Sequence, residues 1–218
     1  STWGPHSELR ALRTGRVKMC SDMIQMLPVI LDQGGNLYFQ EQVLETDSWK
    51  TSGKCEPAQV FRSPNNHILI ARPADEDFPA VFERRTDQEI RNVSGIKFDI
   101  HSYQDTKPKG LCVAFTVEFN HQIYHMCVEK KENKMRVNFK EGTIPRNIEG
   151  DTSNIIFIKT QFSGGSRQFY KFESALERGY FLAFECVKGS YDTVLVLKKV
   201  EVADEVDESI KLHHAAFL

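Results

Sequence analysis

The sequence contains no CxxC pair, no HExxH string, no GxSxG elbow and no phosphate loop ending in GK[ST]. Those absences remove the usual sequence anchors for a zinc ribbon, a zinc protease, a serine hydrolase and a nucleotide-binding site. Apolar stretches are short, and none reaches the roughly 18 residues that a membrane-spanning helix needs. The N-terminal residues lack the apolar core and small-residue exit of a secretory signal, and the chain opens on Ser1, so its natural start is expected to lie upstream. Cysteine is sparse: Cys20, Cys55, Cys112, Cys127 and Cys186 are odd in number and widely spaced, which argues against a disulfide framework and fits cytosolic usage. A net charge of −2, with no long basic run or basic amphipathic helix, predicts neither a nucleic-acid nor a membrane partner. No metal or cofactor is expected.

What is present is an ordinary globular composition, 40% apolar and 27% charged over 218 residues, enough for one large domain or one domain with an appendage. The two parts differ in character. Residues 1–47 read as a leader: Ser7 to Lys18 as a basic helix, Asp22 to Leu31 as apolar but interrupted by Pro28, and Asn36 to Gln40 as a short strand after Gly34-Gly35. Leu44-Glu45-Thr46-Asp47-Ser48 then reads as a processing site. An Arg-lined caspase pocket accepts an Asp carboxylate, with an acidic residue two places earlier and a small residue after the cut. The bland alternative is a solvated acidic loop.

From about Gln59 onward, short runs of β-branched and aromatic residues alternate with Gly, Pro, Asn and Asp turns. Twelve strands are expected near 58–62, 67–72, 79–82, 96–102, 111–118, 122–128, 134–139, 154–160, 168–174, 180–186, 193–199 and 209–214. Almost no helical period intervenes, so the expected class is all-β. Grouped in fours, the strands form three blocks of similar length, the rhythm of a β-trefoil; a β-sandwich of fewer strands is the alternative. The long loops are expected at 83–95, 141–153, 161–167 and 187–192.

Candidate chemistry is thin. His121 and His125 are separated by about 13 Å of extended chain, too far to share a metal, and His213-His214 reads as a surface pair in a tail. Ser163-Gly164-Gly165-Ser166 reads as a flexible hairpin loop. Cys112 and Cys127 fall inside strands as small buried hydrophobes, and the Asn92-Val93-Ser94 sequon is incidental without a secretory route. Asp204-Glu205-Val206-Asp207 has the form of an executioner-caspase site, with Glu208 unfavourable after it and an acidic surface turn as its plainer reading.

A set of strings nevertheless resembles one family. Phe82-Glu83 with Thr86-Asp87, Tyr103 through Pro108-Lys109-Gly110, Phe139-Lys140-Glu141 with Pro145, and Asn147-Ile148 are similar to the interleukin-1 cytokines. So are Ile155-Ile156-Phe157, Phe172-Glu173-Ser174, Gly179 to Ala183 and Leu195 to Lys199. The resemblance implies a β-trefoil made as a cytosolic precursor without a signal peptide, with residues 1–47 as propeptide and 48–218 as the mature domain. An inflammatory caspase would cut between Asp47 and Ser48. The secreted product, a monomer, would bridge an alpha and a beta receptor chain and meet a soluble binding protein. It would not be an enzyme. Two further binding classes stay open, a growth-factor-like trefoil and a protease-inhibitor trefoil. Carried over by matching position, the receptor contacts implied are Arg62, Asn65 and Asn66, then Arg85 with Asp87, then Lys109 and Lys140. Asn66 stands where the family usually has an acid, Arg85 where a Met is known, and Gln104 where a Lys is known.

Overall fold

Turns made by residues with positive φ set the hairpins of this chain. Asn120-His121 (φ 48° and 66°) and Glu132-Asn133 (φ 51° and 60°) both have the paired left-handed geometry of type I′ turns, which matches the twist of flanking strands. In the computed structural model, residues 16–19, 22–31 and 37–43 are described as backbone strands, and residues 48–105, 110–162, 168–201 and 207–217 in full. The chain divides into two compact units, Ser1–Thr46 and Asp47–Leu218.

In the first unit, β1 (Arg16–Met19), β2 (Asp22–Leu31) and β3 (Leu37–Val43) form an antiparallel sheet in that order. Of the helix expected over 7–18, residues 16–18 are strand instead, and residues 7–15 lie outside the described residues. The strand expected at 36–40 is present, and its ladder partner is β2. Pro28 sits inside β2, where the register shifts between Pro28 and Ile30, a bulge that absorbs the missing N–H donor.

The second unit runs β4 (Ser48–Arg62), β5 (Ile68–Ala71), β6 (Ala80–Glu83), α1 (Asp87–Asn92), β7 (Phe98–Asp105), β8 (Leu111–Phe119) and β9 (Gln122–Lys131). It continues β10 (Lys134–Glu141), β11 (Asn147–Glu149), β12 (Phe157–Gln161), β13 (Tyr170–Ser174), β14 (Tyr180–Cys186), β15 (Thr193–Lys199) and β16 (His213–Ala216). Ladders run from β4 through β7, β8, β12, β13, β14, β15, β6 and β5 back to β4, so the sheet closes on itself. Closure leaves no open edge in that circuit. The β9–β10 hairpin extends from β8 and β11 adds to β4, while β16 pairs with β4 and the Leu212–Tyr170 bridge just before it reaches β13, completing the barrel on that side.

Each of the twelve expected strands overlaps an observed one, and the sheet holds thirteen among the described residues. The extra one, β11, lies in the expected 141–153 loop. It was invisible because Asn147-Ile148-Glu149 has no β-branched run and is drawn into register by β4. β4 itself begins ten residues before the expected start, broken by register shifts between Thr51 and Cys55 and between Glu56 and Gln59. Gly53 and Ala58, both at positive φ, make those breaks. The expected 83–95 loop contains α1, and the last strand starts at His213 because Glu208–Ile210 forms a 3-10 turn instead.

Alternation along the strands sends aromatic rings to one centre. Phe61 meets Phe98, Phe115 and Phe172 edge-on at 5.6, 5.6 and 5.8 Å, and Phe115 meets Phe157 and Phe172 at 5.5 Å. All are buried. Each such side chain contributes about 2–3 kcal/mol by leaving water, and edge-to-face contact adds to it.

Candidate functional site

The β5–β6 ladder builds the surface where most of the implied contacts meet. Ile68 lies opposite Glu83, so the turn before β5 and the loop after β6 emerge side by side. In the turn, Ser63 is buried; its N–H donates to the His67 carbonyl, its carbonyl accepts from Asn66 N–H at 2.9 Å, and its hydroxyl accepts from His67 N–H. That frame presents Asn65 and Asn66 to solvent, with Asn66 at φ 63°, a conformation Asn tolerates better than most residues. Arg62 ends β4 just before it, half-buried. Arg84 Nε donates to His67 Nε2 at 3.3 Å and ties the turn to the neighbouring loop.

In that loop, Thr86 caps α1. Its hydroxyl accepts from Glu89 N–H, and the Glu89 carboxylate accepts from Thr86 N–H at 2.7 Å, a reciprocal capping box. The Thr86-x-x-Glu89 spacing was a readable signal for this helix. Bonds from the Thr86 backbone and hydroxyl, with Arg85 beyond them, hold the Glu89 carboxyl below the usual range. Asp87 opens the helix exposed, where a negative charge suits the N-terminal end. Arg85 is more constrained: it pairs with Glu83 at 2.5 Å and Glu89 at 3.3 Å, and its Nε is buried without a partner. Glu83 also pairs with Arg72. The turn carrying Asn65 and Asn66 thus lies beside the loop that leads through Arg85 to Asp87, with Arg85 already held inside an ion-pair network.

Lys140 belongs elsewhere. It lies on β10 opposite His125 and pairs with Glu129 at 3.2 Å, which raises the lysine above its ordinary range. Lys109 lies outside the described residues. Gln104 is exposed on β7, opposite Lys50.

Asp47 also lies outside the described residues, but Ser48 is the first residue of β4, opposite Glu149. Trp49, which no motif singled out, is buried at 5% exposure between Ile148 on β11 and Asp105 on β7. It packs in a cluster with Tyr103, Cys112, Ile155, Ile158 and Ala175. Its indole N–H is buried without an oxygen partner. Tyr103 O–H donates to the Pro145 carbonyl, and burial pushes that phenol up to about 12.

Other candidates take structural roles. Cys112 and Cys127 are buried, and desolvation raises both thiols, Cys127 to about 11, so neither is a thiolate at neutral pH. His125 Nδ1 bonds the Gly142 carbonyl at 2.9 Å and His121 occupies a hairpin turn. Asp207 is engaged locally: its carboxylate pairs with Lys198 at 2.6 Å and accepts from Ser209 N–H and Oγ–H. Residues 204–206 and the 163–167 loop lie outside the described residues. The His213-His214 pair, read as surface histidines at the end of the last expected strand, 209–214, is laddered to Arg62 and Phe61 in β16, where β4 gives those backbone groups partners.

The Interleukin-1 / 18 family model matches residues 89–209. Interleukin-18 of Gallus gallus is 41% identical over 199 residues, covering 88% of this chain and 94% of that protein. Interleukin-18 of Bos taurus is 34% identical over 179 residues, 80% of this chain and 84% of that one, and the human protein 33% over 168 residues, 75% and 80%. The crystal structure of chicken interleukin 1 beta superposes with a TM-score of 0.55 at 13% identity, covering 77% of this chain and 99% of that one. At that identity the likeness establishes the fold, a β-trefoil. The botulinum neurotoxin serotype D binding domain shares the architecture at a TM-score of 0.52 and 11% identity, over 80% of this chain and 45% of that one. With the trefoil, the capped loop beside the Asn65-Asn66 turn and these identities in place, the chain belongs to the interleukin-1/interleukin-18 cytokine family.

Proposed function

We propose that this chain is the precursor of an interleukin-18-type cytokine, cut after Asp47 by an inflammatory caspase, whose domain from Ser48 binds and bridges the alpha and beta chains of an interleukin-18-type receptor. It acts by binding, as its cytokine relatives do, and not by turnover. The precursor resides in the cytoplasm and the mature monomer leaves by a route that uses no signal peptide. A soluble interleukin-18-binding protein is a further partner.

The observation that supports the reading is the juxtaposition made by the Ile68–Glu83 register: the turn after Arg62 and the loop leading to Asp87, some twenty residues apart in sequence, emerge side by side. Arg62, Asn65, Asn66 and Asp87 form the accessible part of this proposed surface. A standard interface buries about 800 Å² on each partner, with a few anchors carrying most of the energy. Charges of both signs there steer encounter more than they add affinity. Lys140, on a separate ladder, and Lys109 remain basic candidates for receptor contact carried over from the family. The start of β4 at Ser48, one residue after the division of the chain between Thr46 and Asp47, supports a junction at the Asp47–Ser48 bond.

The test compares intact and caspase-treated chain on cells carrying the receptor pair, with the new N-terminus sequenced. A silent precursor that signals once Ser48 is exposed supports the proposal. Equal signalling by both forms removes the inhibitory leader, and silence of a correctly cut product removes the receptor assignment.

A further inference from the structure

The strand that completes the barrel on β4 carries two adjacent histidines. His213 lies opposite Arg62 and His214 opposite Phe61. The His214 ring stacks at 5.1 Å on Tyr170, 5.4 Å on Phe61 and 6.4 Å on Phe172. Its Nδ1 is 2.8 Å from Gln59 Oε1, and its Nε2 is buried with no hydrogen-bond partner among the described residues. Gln59 is itself buried, and its Nε2 donates to the Pro57 carbonyl, which fixes the oxygen toward the histidine. An amide oxygen only accepts, so Nδ1 holds the proton and Nε2 is bare: the site is built for neutral imidazole.

The surrounding charges reinforce that preference. On β16 the neighbour is His213, and on β4 it is Arg62. On β12 it is Lys159, whose ammonium sits 4.1 Å from the Tyr170 ring centroid, and whose counter-charge, Glu56 on β4, is 3.8 Å from it. β13 and the residue before it contribute Tyr170, Phe172 and, against His213, Phe169. Lys211, on the approach to β16, is paired with Glu208. Among the described residues, no carboxylate pairs with either histidine. A proton added at Nε2 would be desolvated, without an acceptor and close to other cations. Stacking on aromatic faces offsets part of that cost but supplies no acceptor.

We propose that β16 is an acid-released clasp: protonation of His214, assisted by His213, detaches the strand from β4 and uncovers the β4 edge beneath Arg62. Burial, with Lys159 and His213 beside it, pushes His214 down to about 4, and burial and Arg62 lower His213. With an unfolded value near 6.5, the closed strand has its full stability above that pH and loses it as pH falls from 6.5 toward 4. The shift corresponds to a loss of about thirtyfold in the closing equilibrium at pH 5, or about tenfold once partial exposure is allowed for. Resting on the receptor reading above, the consequence is a ligand that loosens its receptor surface in an acidified compartment.

Amide hydrogen exchange on the full chain at pH 7 and pH 5, corrected for intrinsic rates, tests the clasp without any receptor. Protection of His213–Ala216 is expected to fall about tenfold more than that of β8 and β9. The variant His214→Phe, which keeps the ring stack and removes the proton site, should hold its protection at pH 5. His101 is also half-buried and lowered by desolvation, so His101→Gln serves as the control and should still show the loss. If His214→Phe does not fold, the side-chain titration of His214 in the native chain decides, with a midpoint below about 5.5 supporting the clasp. A midpoint near 6.5, a uniform loss across all strands, or a loss abolished by His101→Gln would overturn it. Receptor affinity that is flat with pH while the exchange result holds would sink the receptor assignment and leave the clasp.

Discussion

Trp49 pairs with Ile148 across the β4–β11 ladder, one residue beyond the Asp47–Ser48 bond. The first strand of the trefoil therefore begins where the leader is proposed to end, and a buried indole anchors it. Thr51 N–H donates to the Arg146 carbonyl at 2.8 Å and fastens the same segment again. A protease groove needs extended chain on both sides of the cut, so the Ser48-Trp49 side must leave its ladder to be bound.

Replacing Trp49 with Ala is expected to cost about 3–5 kcal/mol, the range for deleting a large buried aromatic. Ser48→Ala should be near neutral. Denaturant unfolding measures both. The same Trp49→Ala change should speed cleavage after Asp47, because the anchor that opposes strand release is gone; an unchanged cleavage rate would show that Trp49 does not restrain the bond.

Thr86→Ala removes the N-cap of α1 and is expected to lower stability by about 1 kcal/mol. Thr86→Ser should restore most of it. Since Ile90 is held in the core by this helix and Asp87 begins it, the Ala variant should also weaken receptor binding, whereas the Ser variant should not. Parallel unfolding and binding measurements separate the two effects.

The Asp207 carboxyl is held below the usual range: partial burial alone would raise it, but Lys198 and the two bonds from Ser209 outweigh that. A depressed carboxylate contributes stability above its unfolded value and loses it as pH falls through the folded one. Asp207→Asn is therefore expected to cost about 1 kcal/mol at pH 7, with the difference from the native chain shrinking below about pH 4. Thermal midpoints between pH 2.5 and 7 check the sign. This window lies below that of His214, so the two effects are separable.

Arg62→Glu should reduce receptor affinity by tenfold or more, about 1.4 kcal/mol, while leaving the unfolding midpoint nearly unchanged. Asn66→Asp keeps a residue type tolerant of positive φ and adds the acid usual in the family; it should change affinity without a loss of stability. Surface-immobilised receptor alpha chain provides the readout. If Arg62→Glu binds as the native chain does, the proposed surface is wrong.

Strand content and class were legible because Leu111 to Val117, Ile155 to Ile158 and Val194 to Lys198 carry β-branched and aromatic residues between turn formers, a pattern that local sterics favour wherever it occurs. The Thr86-x-x-Glu89 box was equally local. The family was legible through strings spread along the chain, and the resemblance brought the trefoil with it.

Tertiary structure decided what depends on partners distant in sequence. β11 is a strand only because β4 offers it a ladder, and Trp49 is an anchor only because β7, β8, β11 and β12 surround it. The turn carrying Asn65 and Asn66 and the loop after β6 came side by side through one register in the β5–β6 hairpin, which no residue at either position announces. His213-His214 reads from sequence as a solvated tail, since two histidines carry no intrinsic preference for burial. Closure of the barrel placed them against Arg62, Lys159 and three aromatic rings, and the energetic cost of a proton there is a property of that enclosure.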